Sequence, residues 1–160
     1  MNIIPIAYYK HEQTFVNMFV IIFLNINYYN LKYSKNKGAR FHPQMKMIED
    51  KNRFIVIQKG TESDGDSYSA FYDNYKFSKK TSLDVELKAR NISDLYICGL
   101  ATDVCVAATA KDSLKFFYKV NIVEDACRGV DRASIAVSKK ELIRAGSKII
   151  NSKELLEPKK

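Results

Sequence analysis

Two residues able to do covalent chemistry stand where chains often present reactive groups: Cys105, in LYICGLATDVCV, and Lys59, in IVIQKG. A cysteine in the first turn of a helix feels the positive end of the helix dipole and the nearby amide groups, which together favour the nucleophilic thiolate. A lysine ammonium alongside adds to that effect. The same amides can hydrogen-bond the oxyanion formed when a thiolate attacks a carbonyl carbon. Each residue also has a purely structural reading. A cysteine at the start of an alanine-rich helix can be a small apolar residue, and a strand-end lysine can be a solvated charge. Asp103 reads as a turn and helix-cap residue rather than a base. Cys98 lies inside an apolar run and reads as core, whereas Cys127 follows a third strand pattern and could touch the same site or be core. His11 and His42 are too isolated to propose as a metal pair.

The elements that would position these residues follow from periodicity. From about Gly38 onward, strand-like and helix-like segments alternate, the pattern of a parallel sheet with helices on its faces. Strands are expected at Phe54 to Gln58, Leu95 to Leu100, Val120 to Val123 and Ser147 to Ile150. Helices are expected at Ser82 to Arg90, capped by Thr81 or Ser82, at Val104 to Tyr118, with Val104, Ala107, Ala108 and Leu114 near one face, and at Arg132 to Ala145, stopped by Gly146. The loop GTESDGDS should lie on the surface. These strand-helix units predict a doubly wound α/β sheet, and in such sheets ligands bind beyond the carboxyl ends of the strands. Lys59 and Cys105 both fall there.

Residues 1–36 depart from this rhythm: they are rich in Asn, Tyr, Ile and Phe and show no register beyond the apolar run Phe15 to Leu24. That run is about half the length of a bilayer span and reads as a strand or a buried helix, so no membrane association is expected. The division is therefore 1–36, a divergent segment, and 37–160, the catalytic-type domain. With a formal charge of +8, an anionic partner has to be considered. The lysines, however, are scattered apart from the Lys32 to Lys51 and Lys153 to Lys160 regions, and nucleic-acid binding is not expected. Three cysteines with no close pair argue against a disulfide framework or a cysteine zinc site, and for a reducing, cytoplasmic setting.

The stretches KGTESDGDSYSAFYDN, LYICGLATDVCVAATAKDS and VEDACRGV resemble, in order and spacing, the nicotinamidase branch of the isochorismatase-like cysteine hydrolases, and GARFHP, residues 38–43, resembles a further segment of that branch. The resemblance implies the isochorismatase-like fold. It also implies that Cys105 attacks the carboxamide carbon of nicotinamide, releasing ammonia and leaving a thioester that water hydrolyses to nicotinic acid, a step of NAD salvage. Lys59 would be the catalytic lysine, the backbone amides of Ala101 and Cys105 the oxyanion hole, and Tyr68 a wall of the ring pocket. A cis peptide would precede Ala101, and a homo-oligomer is plausible by the same resemblance.

Members of the branch carry an aspartate in a motif like VDVQNDF on their first strand and bind zinc, iron or manganese through a DxH stretch. Neither motif occurs in this chain, and His42 matches a histidine that is not a ligand in the family. The expectation is therefore an N-terminally truncated or divergent member, its first strand and metal-site region missing or replaced, with no metal cofactor. Two alternatives stay open. One is another isochorismatase-like hydrolase with a different substrate; the other is a non-catalytic remnant that binds a ligand or forms oligomers.

Overall fold

The computed structural model describes residues 2–9, 18–23, 54–60, 67–74 and 79–156. The segment 38–43, His11, His42 and residues 61–66 of the surface loop lie outside the described residues.

Six strands form the main sheet in the order β3-β1-β2-β6-β7-β8. They are β1 Asn2–Tyr9, β2 Met18–Phe23, β3 Phe54–Lys59, β6 Asp94–Leu100, β7 Lys119–Arg128 and β8 Lys148–Ile150, and β4 Tyr72–Asn74 with β5 Lys79–Lys80 makes a separate two-stranded ribbon. β2, β6, β7 and β8 pair in parallel. β1 alone runs against its neighbours, pairing antiparallel with both β2 and β3. The parallel α/β sheet expected from the alternation is present. The strand at 2–9 is an addition to it: a proline inside a strand supplies no ladder N–H and argues against a central position, yet Pro5 stands opposite Val56 between two strands. Residues 18–23 of the apolar run form a strand, whose backbone lies directly beside β6, Ile21 opposite Ile97.

Leu95, Tyr96, Ile97 and Cys98 are buried in succession. Successive side chains on a strand point to opposite faces, so both faces of the sheet are covered at β6. That is the burial proper to a parallel strand, and it explains why LYICGL reads as an unbroken apolar run. The helices are α1 Leu83–Ala89, α2 Ala107–Lys115, α3 Arg132–Arg144 and the short α4 Lys153–Leu156. Leu83 and Leu87 of α1, Ala107 and Ala110 of α2 and Leu142 of α3 join Ile57, Ile97, Val120 and Ile122 in one core. Phe71 stacks on Phe116 with ring centroids 4.8 Å apart, closing the core beneath α1 and α2.

Local signals set the element ends. Thr81 rather than Ser82 serves the start of α1: its Oγ1 accepts the Leu83 N–H at 3.2 Å, and Ser82 makes no side-chain cap. Gly146 follows α3 at φ +105°, a conformation that favours glycine, and so acts as the expected stop. β7 runs on past Val123 to Arg128, with a register shift opposite Ile97 to Gly99, so Cys127 lies within the sheet and not after a strand.

Candidate active site

β3 ends in Lys59, which is 2% exposed. A lysine this deep needs partners for three N–H donors, and the structure supplies three. Nζ donates to the carbonyls of Ser67 at 2.7 Å and Tyr68 at 2.5 Å and lies 3.6 Å from Cys105 Sγ. Two backbone oxygens thus fix the ammonium, and the third donor is aimed at the sulfur. Burial lowers the Lys59 ammonium below the ordinary lysine range, with the charge and hydrogen bond of Cys105 opposing the shift. Gly60, at φ +67°, turns the chain after the lysine, and its N–H donates to the Asp73 carbonyl at 3.1 Å, fastening the strand end to β4.

Cys105 does not sit in an ordinary α-helical turn. Residues Thr102–Val106 form a wide π-type turn that leads into α2. Such turns are rare and recur at functional sites. The carbonyl of Ala101 accepts the N–H groups of both Val104 and Val106 at 3.1 Å each, and the Leu100–Ala101 peptide bond is cis. The buried residues past this turn are Val106, Ala107, Thr109, Ala110, Asp112 and Ser113. Of the face expected from α-helical spacing, Ala107 is buried and the half-buried Leu114 packs against the core, whereas Val104 and Ala108 are only partly buried, Val104 lying in the wide turn.

Among the residues singled out in the sequence, Lys59 and Cys105 meet. Ala101 caps the wide turn and Cys105 lies within it, Ala101 buried and Cys105 half-buried. Tyr68 reaches the site through its backbone carbonyl, and its residue is 39% exposed. Cys98 and Cys127 are buried. Burial pushes the Cys98 thiol up to about 12, reinforced by Cys127 and Asp125, and pushes Cys127 up to about 11 despite the Gly99 N–H. Both are core thiols, unsuited to nucleophilic work at neutral pH.

Asp103 serves a helix, but not its own. Oδ1 accepts the Val130 N–H at 3.0 Å and Oδ2 the Asp131 N–H at 3.2 Å, and the Ser134 hydroxyl donates to Oδ2 as well. Partial burial works to raise this carboxyl, but those hydrogen bonds outweigh it and hold Asp103 below the usual carboxylate range.

Several contributors escape sequence reasoning. The turn that carries Tyr68 is held by Thr109, whose Oγ1 accepts the Ala70 N–H at 2.9 Å, and by Thr81, whose hydroxyl donates to the Ala70 carbonyl at 2.6 Å. The two carbonyls on Lys59 have no side-chain signature at all. Among the described residues no group of three or more His, Cys, Asp or Glu could hold a metal ion.

Comparison with known proteins places the fold. The isochorismatase domain pattern matches residues 21–154. The chain is 45% identical to the nicotinamidase of Escherichia coli over 96 residues, which cover 60% of this chain and 43% of that one. A nicotinamidase pyrazinamidase structure from Acinetobacter baumanii superposes with a TM-score of 0.66 at 35% identity, over 76% of this chain and 57% of the other. A structure from L. infantum in complex with nicotinate gives a TM-score of 0.58 at 34% identity, over 61% and 48% of the two chains. The chain spans about half the length of the curated relatives it matches. No helix among the described residues is long and apolar enough to cross a membrane.

Proposed function

The chain belongs to the isochorismatase family, and on that footing we propose that it is a nicotinamidase-type amidohydrolase acting on nicotinamide in cytoplasmic NAD salvage. The observation that carries the proposal is the 3.6 Å contact between the buried Lys59 ammonium and Cys105 Sγ at the carboxyl ends of β3 and β6. A fixed cation at that distance can hydrogen-bond the sulfur and balance negative charge on it. Sγ then attacks the carboxamide carbon, the amides of Ala101 and Cys105 receive the charge that develops on oxygen, and the carbon–nitrogen bond breaks. Ammonia leaves carrying the proton that the Cys105 thiol gave up, passed on by the Lys59 ammonium beside it. Water cleaves the resulting thioester, giving nicotinic acid and restoring the thiol. Tyr68, whose carbonyl steadies Lys59, is the candidate wall for the pyridine ring.

No step is assigned to a metal ion, and no nucleic acid or membrane takes part. The motif that carries the family's aspartate does not occur in this sequence. A positioned proton-transfer residue contributes about 10²- to 10⁴-fold, so turnover by this chain is expected to be slow by that order. The missing motif also favours a second reading, a non-catalytic nicotinamide binder that pairs with further copies of a family member.

Ammonia release from nicotinamide by the purified, folded chain, beside Cys105→Ala, tests the proposal. Release that disappears in the variant supports the amidase. Heat of nicotinamide binding without any release of ammonia supports the binder and overturns the amidase.

A further inference from the structure

Asp103 lies two residues before Cys105 in the wide turn, yet its side chain is spent elsewhere. The residue that caps the turn is Ala101, and the turn has no side-chain cap. The Asp103 carboxylate instead collects donors from the start of α3: the Val130 N–H, the Asp131 N–H and the Ser134 hydroxyl. Hydrogen bonds to an ionised acceptor are roughly twice as strong as neutral ones, and three converge here. The backbone comes unusually close to receive them. A Cβ built on Gly129 would stand 2.8 Å from Asp103 Oδ1 and 2.4 Å from Ile135 Cγ1, so a larger residue there has to displace the carboxylate and the Ile135 side chain.

This contact lies on one side of a mechanical contrast. Lys59 Nζ is fixed by two backbone carbonyls on the 67–68 segment, so its position does not depend on the turn. Among the described residues, Cys105 Sγ is held by no hydrogen bond besides the one from Lys59 Nζ, and it goes where the turn goes. The turn is tied at its inner end by the Ala101 carbonyl and at its far end by α2. Asp103 is the side chain in it that grips a third element.

Resting on the reading of Cys105 as the nucleophile, we propose that Asp103 is a positioning residue: its carboxylate anchors the wide turn to the first turn of α3 and so fixes Cys105 Sγ against Lys59 Nζ. It touches neither substrate nor sulfur and acts through the turn.

The test reads thiol reactivity, which needs no turnover. The full chain and its Asp103→Asn and Gly129→Ala variants are labelled with iodoacetamide across a pH series, and Cys105 and Cys127 modification is followed by peptide mass spectrometry. Asn replaces one acceptor oxygen with an NH₂ group that faces backbone donors, and Gly129→Ala displaces the carboxylate from the opposite side. Both variants should slow Cys105 labelling at neutral pH by about tenfold, within the range of coupling between residues of one network, and should change its pH profile. Cys127 should stay slow, which marks an intact core. In a Lys59→Met background neither substitution should slow Cys105 further, because the contact they misalign is already gone.

A folded Asp103→Asn chain with the parent pH profile overturns the proposal, and so do effects that simply add to that of Lys59→Met. If Asp103→Asn does not fold, Ser134→Ala removes one donor and leaves the charge in place. It should then give a smaller shift in the same direction, and the parent profile there overturns the proposal too. A chain that releases no ammonia but shows these shifts refutes the amidase reading while supporting the anchor, so the two failures are distinguishable.

Discussion

Lys59 shows how a single side chain can be costly and still be retained. Taking an ammonium out of water carries a penalty of several kcal/mol unless each donor finds a partner, and here two carbonyls and one sulfur provide them. Lys59→Met keeps the apolar stem but leaves the buried Ser67 carbonyl without its donor, at a cost of about 1–3 kcal/mol. It also removes the cation beside Cys105. The expected outcome is a lower melting temperature together with slower alkylation of Cys105, measured by thermal unfolding and by iodoacetamide labelling on the same sample. A stable variant with unchanged labelling would show that the ammonium does not govern the sulfur. Neither effect was legible from IVIQKG alone, which reads as well for a solvated charge. The difference lies in the two carbonyls, and every residue type carries a carbonyl.

At the scale of elements, hydroxyls and backbone conformation decide matters that hydrophobic pattern does not. Thr109 sits fully buried in α2, 39 residues from the Ala70 N–H it accepts. Thr109→Val keeps the shape and deletes the acceptor, leaving a buried N–H unpaired. The loss should be about 1–3 kcal/mol, read as a lower urea midpoint, with faster proteolytic cutting in the turn that carries Tyr68. Unchanged stability and unchanged cutting would mean that this turn is held by other contacts. At the end of α2, Phe117 adopts φ +67° while 96% exposed, so its ring gains almost no burial for a conformation that suits glycine. Phe117→Gly should therefore raise stability by about 1 kcal/mol, seen as a higher melting temperature; a decrease would mean that the ring packs in solution.

The buried thiols tie the whole molecule to pH. Cys98 and Cys127 are raised from about 9 to about 12 and about 11, burial being the first cause of each. For an acid raised on folding, the unfolded chain loses its proton first. Stability is therefore unaffected below about pH 9 and falls as pH rises from there toward the folded values. Lys59 acts with the opposite sign: its folded value is lowered, so the unfolded chain holds that proton longer and rising pH favours the folded state through it. The clean measurement is a difference. Urea midpoints taken from about pH 8 to about pH 10 should fall less steeply in Cys98→Ala and in Cys127→Ala than in the parent. Parallel slopes would show that these thiols ionise alike in both states.

The sequence by itself determined the alternation of strands and helices from Phe54 onward, the helix stop at Gly146, the core role of Cys98, and the family signature that puts Cys105 and Lys59 at strand ends. Those features are written in periodicity and residue type, which are local. Only the tertiary structure decided that Lys59 is sunk between two carbonyls with its third donor on Cys105, that residues 102–106 open into a wide turn, that Asp103 reaches 27 residues along the chain to the start of α3, and that β1 and β2 complete the sheet between β3 and β6. All but the wide turn are pairings between backbone or side-chain atoms far apart in the chain. A strand's edge offers the same N–H and C=O groups whatever its residues, so the choice of partner is made when the elements pack.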